Sequence, residues 1–212
     1  MLAEVIKFIS SNSTQYYKAV SIHIFISLTA LSISIVVAVP LGIICAKSRK
    51  LLFPIINFFN LLRIIPSLAI LVLVLPILGT GFVPAVVALI VLAIPPIISN
   101  SYMGFKNISQ SIIESAEGMG MDEKDILLKI QVPLALPLIL TGIRISSVEV
   151  IASATIASYI GAGGLGDFIF TGISMNDFIM IFVGAASVAL LSIFSELILI
   201  TLQHNLTKYQ RN

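Results

Sequence analysis

The chain has 212 residues, 58% hydrophobic and 10% charged, with a mean hydropathy of +1.11 and a formal net charge of +2. This lies far from the roughly 25% charged content of soluble domains and marks an integral membrane protein with little length left for a separate soluble catalytic domain. The small, dispersed charge lacks the basic patch of a nucleic-acid binder, a single cysteine, Cys45, excludes an internal disulfide, and two distant histidines, His23 and His204, leave no metal cluster.

Residues 1–19 place Glu4, Lys7 and Lys18 around Leu2, Val5, Ile6 and Ile9. This amphipathic pattern, without a short apolar core and a small-residue cleavage site, predicts an interfacial helix and no signal peptide. Apolar runs over Val20–Ala46, Leu51–Leu78, Phe82–Tyr102, Val132–Tyr159 and Phe178–Leu202 are each long enough to span a bilayer. The expected fold is therefore all-α, a single membrane domain over residues 1–212 with five transmembrane helices.

In the first run His23, Ser27, Ala30, Ser34 and Ala38 share one helical face, a small and polar stripe suited to close helix packing, with His23 read as an interfacial histidine. In the second, Pro66 and Pro76 with Ser67 nearby predict an interrupted helix. Broken backbone at membrane depth is tolerated where it lines a cavity or is buried in protein, which makes this run the preferred candidate for a translocation path. Arg63, Arg144, Glu149 and Glu196 fall inside the runs, where an ionisable group costs roughly 2.5–3.5 kcal/mol unless paired or wetted. Arg63, Pro66, Ser67, Arg144 and Glu149 are the candidate path residues, and Arg144 and Glu196 are placed at depths where they can pair. Tyr102 and Tyr159, near run ends, fit interfacial anchors, and aromatic faces also attract quaternary ammonium cations.

After Tyr159 the stretch "GAGGLGDFIFTGI" is apolar enough for a sixth span to be entertained, but its glycines favour a loop. Gly161, Gly163 and Gly166 satisfy G-x-G-x-x-G formally, with Gly164 between them. No strand precedes them and no acidic residue follows about 20 positions on, so a dinucleotide site is excluded and a flexible external turn is expected. No P-loop motif occurs anywhere, so an ATP-driven process requires a partner to bind the nucleotide.

Five spans put the termini on opposite sides. Lys47, Arg49, Lys50, Lys106, Lys124, Lys129, Lys208 and Arg211 collect on one side and only Lys7 and Lys18 on the other, which predicts a cytoplasmic C-terminus and an external N-terminus. Residues 104–131 then form a cytoplasmic loop. Within it "ESAEGMGMDEKDILLKIQVP", Glu114 to Pro133, holds seven of the 12 basic and 10 acidic residues. Ile112, Ile113, Ala116 and Met119 recur at helical spacing before Gly120, and Ile126, Leu127 and Ile130 do so after it. Two short amphipathic helices around a glycine turn are expected, with Asp122 and Glu123 in the first turn of the second. Ordered apolar faces on both arms fit a docking surface better than a plain solvated linker.

This segment resembles the EAA loop of ABC importer permeases, which runs Glu-Ala-Ala, three residues, Gly, nine residues, Ile, one residue, Leu-Pro. Glu114, Ser115, Ala116, Gly120, Ile130, Val132 and Pro133 keep the register, with Ser115 and Val132 as mild departures. The segments "HIFISLTALSISIVVAVPLGI", "IIPSLAILVLVLPILGTG", "NSYMGF" and "TIASYIGAGGLGDFIFTGI" extend the resemblance over nearly the whole chain, toward the osmoprotectant branch. "IPSLAIL", from Ile65 to Leu71, separates that branch from methionine-type permeases, which share the glycine-rich outer loop.

The resemblance implies the type I (MetI-like) importer core and a non-catalytic subunit that moves glycine betaine, carnitine or choline. It implies no cofactor in the chain itself, with ATP bound by a separate P-loop ATPase. It further implies an extracytoplasmic substrate-binding protein, a second permease chain and a bacterial cytoplasmic membrane. Glu114, Ser115, Ala116, Gly120, Met121, Asp122, Ile130 and Pro133 become the residues coupling the chain to its ATPase, with Gly120 the close-approach turn. The alternatives are a methionine-type or other small-molecule ABC permease and, from a different class, an ion-coupled secondary transporter or channel, which leaves the Glu114, Gly120 and Pro133 register unexplained.

Overall fold

The structure, a computed structural model, describes residues 2–208, so Arg211 of the charge argument lies outside the described residues. Helix α1 (Leu2–Ser11) is followed by α2 (Ser13–Lys47), α3 (Arg49–Ile64), α4 (Ser67–Leu78), α5 (Phe82–Lys106), α6 (Gln110–Gly118) and α7 (Glu123–Asp125). A six-residue π-helical turn (Ile126–Gln131) leads into α8 (Val132–Ala157), a 3₁₀ turn (Ser158–Ile160), α9 (Gly166–Met175) and α10 (Phe178–Thr207). Four continuous helical stretches are long and apolar enough to cross a bilayer, and the bent α3–α4 pair makes a fifth.

The expected spans are present, with four corrections. The N-terminal amphipathic stretch is not one helix apart from the first span: α1 ends at Ser11 and α2 begins at Ser13, ahead of the apolar run, with only Asn12 between them. The second span is two helices bent by 100° between Phe53–Ile64 and Ser67–Leu78. The break falls at Pro66, whose ring disfavours helical backbone in the residue before it, and Ile65 is accordingly extended (φ −73°, ψ 123°). Pro76, the other expected breaker, lies inside α4.

The glycine-rich segment after Tyr159 is a loop only as far as Leu165 and then forms α9. Ten residues span about 15 Å, half of a hydrocarbon core of about 30 Å, so α9 is no sixth span. Fourth, the second arm of the polar loop runs unbroken from Glu123 into the span, giving one helical stretch of 38 residues, Glu123–Ile160.

Helix α5 is the hub, packed against α2, α3, α4 and α8, while α10 packs on α8 and α9. Between membrane helices apolar burial adds little, since lipid is as apolar as leucine, so stability comes from close approach and interhelical hydrogen bonds. The sequence supplies small residues at the crossings. A Cβ on Gly142 of α8 would lie 2.9 Å from both Asn100 Cβ and the Pro96 carbonyl of α5, and one on Gly104 of α5 would lie 2.9 Å from the Ala135 carbonyl of α8. Ser146 of α8 donates to the Ala93 carbonyl of α5 at 2.8 Å. The predicted stripe His23, Ser27, Ala30, Ser34 and Ala38 is buried throughout. On the side of α9, Phe8 and Tyr16 meet Phe168 edge-on, and Tyr16 and Ser187 hydroxyls bond at 2.9 Å, tying the N-terminal helices to α9 and α10.

Gly142→Val is expected to lower stability by about 1–3 kcal/mol through overpacking, read as a lower thermal transition of the detergent-purified chain. Gly118→Ala, at a position with nothing within 4 Å of an added Cβ, is the control that leaves the transition in place.

Candidate functional site: the polar loop and the α8–α10 clamp

The polar loop is built by its own sequence. Gly120 has φ +83°, a left-handed conformation that costs a residue with a Cβ roughly 1–2 kcal/mol. Its N–H donates to the Glu117 carbonyl at 2.9 Å, and the Met121 N–H reaches back to the Ala116 carbonyl at 3.1 Å. These two bonds are a Schellman motif, in which glycine stands just past the end of α6 and Ala116 closes its last turn. The spacing from Ala116 to Gly120 is therefore the spacing of a helix stop. Ala116 is fully buried, and Ser115 donates to the Ser111 carbonyl at 2.7 Å.

Asp122 then caps α7, its Oδ1 accepting from the Asp125 N–H at 2.7 Å. Asp125 also receives Lys129 Nζ at 2.6 Å in an exposed i,i+4 pair. Glu114, Glu117, Gly120, Asp122 and Glu123 are exposed around Met119, which is 74% exposed, and Ile112. Met119 and Ile112 are thus exposed apolar groups with a charged rim, beside a turn where no Cβ stands.

Beyond α7 the ladder slips by one residue, so that the Val132 N–H reaches the Leu127 carbonyl. Pro133 and Pro137 follow at once, and each removes a backbone donor from the first turns of α8. The π turn and the prolines together make the softest point of the 38-residue stretch. Ile130 sits half-buried in that turn, and Pro133 opens the span.

Just above, α8 is fastened to α10. Arg144 donates through Nε (3.1 Å) and Nη2 to Glu196 Oε1, and through Nη1 to Gln203 Oε1 at 2.7 Å. Gln203 Nε2 in turn donates to the Pro137 carbonyl at 2.9 Å and to Thr141 Oγ1 at 3.2 Å. The expected Arg144–Glu196 pair is present. Gln203 and Thr141 escaped the sequence reading, although the signal existed: Gln203 lies two turns after Glu196, and Thr141 one turn before Arg144.

The structure divides the candidate path residues. Arg144 and Glu149, five positions apart, point about 140° away from each other around α8. Arg144 faces α10, whereas Glu149 lies within electrostatic reach of Arg63 at the end of α3. Arg63 and Pro66 are exposed and Ser67 half-buried at the broken span. His23 is fully buried. Its Nε2 bonds the Ile151 carbonyl of α8 at 3.0 Å, and its ring packs against Gly164 of the glycine-rich loop. Gly161, Gly163 and Gly164 all have positive φ, and Gly166 opens α9. The turn before α5 and the glycine-rich loop are latched together by the Gly81 N–H, which donates to the Ile160 carbonyl at 2.9 Å.

The fold is that of a multi-pass helical membrane protein with a capped polar loop between two of its spans. Residues 38–211 match the family model described as "Binding-protein-dependent transport system inner membrane component", and the chain belongs to that family of ABC transporter permeases. It is therefore a transmembrane permease component and not an enzyme, and the secondary-transporter alternative falls away.

Among curated relatives, the carnitine transport permease protein OpuCB of Listeria monocytogenes is 43% identical over 185 residues, covering 87% of this chain and 85% of its own. The glycine betaine/carnitine/choline transport system permease protein OpuCB of Bacillus subtilis (strain 168) is 38% identical over 204 residues, covering 96% and 94%. The permease fold is shared with inward-facing structures of the MetNI methionine ABC transporter, with a TM-score of 0.82 at 21% identity over 92% of this chain and 97% of that one.

Removing Glu196 leaves the Arg144 guanidinium without its carboxylate. Glu196→Ala is expected to cost about 1.5–3 kcal/mol, the range for hydrogen bonds to charged groups, in a thermal-shift measurement. The exchange Arg144→Glu with Glu196→Arg should recover most of that loss.

Proposed function

We propose that the chain is the permease subunit of an ABC importer for quaternary ammonium osmoprotectants, of the glycine betaine, carnitine and choline class, moved inward at the expense of ATP hydrolysed by a separate subunit. The observation that carries the substrate class is similarity spread over the whole chain: 38% identity over 96% of its length to a relative named for those solutes, and 43% over 87% to one named for carnitine.

In this reading the loop from Glu114 to Pro133 docks the ATPase. Glu114, Ser115, Ala116, Gly120, Met121 and Asp122 form the contact and its supporting turn, and Ile130 and Pro133 join it to the span. The C-terminus and this loop are cytoplasmic and the N-terminus is outside. The glycine-rich turn around Gly161, Gly163, Gly164 and Gly166 faces a substrate-binding protein, and a second permease chain completes the path. Arg63, Pro66, Ser67 and Glu149 line it, with Arg144 as its structural neighbour on the α10 side. The support for the loop assignment is physical: a helix stop that requires glycine, a carboxylate cap on the next helix, and an exposed methionine between them.

Purification of the tagged chain from its native membrane in mild detergent is expected to bring down a P-loop ATPase, and Gly120→Asp to reduce that association at least tenfold. An ATPase retained equally by Gly120→Asp would remove the loop from the contact. Absence of any ATPase would remove the coupling reading altogether. Uptake of radiolabelled glycine betaine, carnitine and choline by cells carrying the intact system tests the substrate class separately.

A further inference from the structure

We propose that Tyr159, Phe170 and Asp167 form a receiving site on the permease itself for the trimethylammonium head of the solute, at the outer end of α8. The proposal rests on the substrate class and the sidedness inferred above. Three observations meet at this place. Tyr159, in the 3₁₀ turn that ends α8, is 70% exposed. Its ring packs on Phe170 of α9 with centroids 5.5 Å apart and planes tilted by 56°, so the two rings form a shallow open corner. Asp167 lies one turn before Phe170 on the same helix, and residues so spaced have Cβ atoms about 5–6 Å apart on one face.

The chemistry fits a particular kind of guest. A quaternary ammonium has no N–H to donate, so hydrogen-bond acceptors cannot recognise it. It is drawn to diffuse negative charge, namely the face of an aromatic ring and a nearby carboxylate. Asp167 is exposed, and the ion pairs formed among the described residues, Lys129 with Asp125 and Arg144 with Glu196, do not include it. Partial burial pushes its carboxyl above the usual range, and among the described residues no ion pair holds it down. A carboxylate partly withdrawn from water and lacking a counter-ion gains more from an arriving cation than a fully solvated one.

Such a site is weak, which suits a station that must pass its solute on. It also discriminates by charge. Choline is a net cation attracted by both rings and Asp167, whereas glycine betaine brings a carboxylate that Asp167 repels.

The test uses the complete transporter, permease with its ATPase, in proteoliposomes with saturating solute-loaded binding protein, and reads solute moved per ATP hydrolysed. Tyr159→Phe is expected to match the wild type. Tyr159→Leu, which keeps an apolar anchor but loses the ring, should lower transport per ATP about two- to tenfold, the span of a lost cation–π contact, with stimulated ATPase unchanged. Asp167→Asn should lower it more for choline than for glycine betaine.

Unchanged stoichiometry in Tyr159→Leu overturns the site. So does a parallel fall of stimulated ATPase and transport that more binding protein restores, which would make Tyr159 a binding-protein contact. If the wild type moves neither solute, the substrate reading fails, and this site fails with it. Transport by the wild type with no effect of the variants sinks the site alone.

Discussion

Everything in this fold depends on how closely α5 is approached by α2 and α8. In hydrocarbon there is no water to expel, so two membrane helices hold together only as well as their surfaces fit and their polar groups meet. Glycine at 104 and 142 brings backbone against backbone, Ser146 bonds a carbonyl across the gap, and the stripe from His23 to Ala38 presents a narrow edge to its neighbours. Much of the leucine, isoleucine and phenylalanine that dominates the composition faces outward, as on Phe25, Leu28, Phe58 and Phe194. The residues that make the chain a membrane protein are thus largely distinct from those that determine its packing.

A second logic governs the polar segment. It lies in water, where a short helix is marginal unless its ends are satisfied. Gly120 and Asp122 supply both ends within three residues, stopping α6 and starting α7. The exposed Met119 between them is held by backbone geometry rather than by a core. Clamping of α8 to α10 through Arg144, Glu196 and Gln203 begins at the Pro137 carbonyl, after the π turn and Pro133, so the segment before it is the less constrained one.

Span number and most span limits were legible in the sequence because length and apolarity alone decide them. Phe82 and Phe178 open helices in both the pattern and the structure. What an apolar run does not encode is its axis: Leu51 to Leu78 reads as one span, and only Pro66 hints that it turns by 100°. Helix α9 was obscured because four glycines in seven residues outweigh the helical pattern that follows. In the structure Gly166 and Gly172 lie where Thr155, Asp177 and Ile181 leave no room for a side chain. In the loop, register revealed the glycine turn, whereas Asp122, expected in the first turn of the next helix, stands one place earlier as its cap. Gln203 was missed although it lies two turns after Glu196, because an uncharged side chain in a long apolar helix is a weaker signal than a charge and its partner Thr141 lies 62 residues away.

The unbroken stretch from Glu123 to Ile160 has a mechanical consequence. Its 38 residues make a rod about 57 Å long, nearly twice the thickness of the hydrocarbon it crosses, about 30 Å. It behaves as a lever whose fulcrum is its crossing with α5. A tilt of about 5° moves a point some 30 Å from that fulcrum by about 2.5 Å, and the opposite end by a similar amount in the other direction. The clamp to α10 at Pro137, Thr141 and Arg144 lies within that crossing, between Ala135 and Ser146, so α5 and α10 hold the rod at one place. The π turn falls between this grip and the polar end, which makes the polar end the part of the rod that bends most easily.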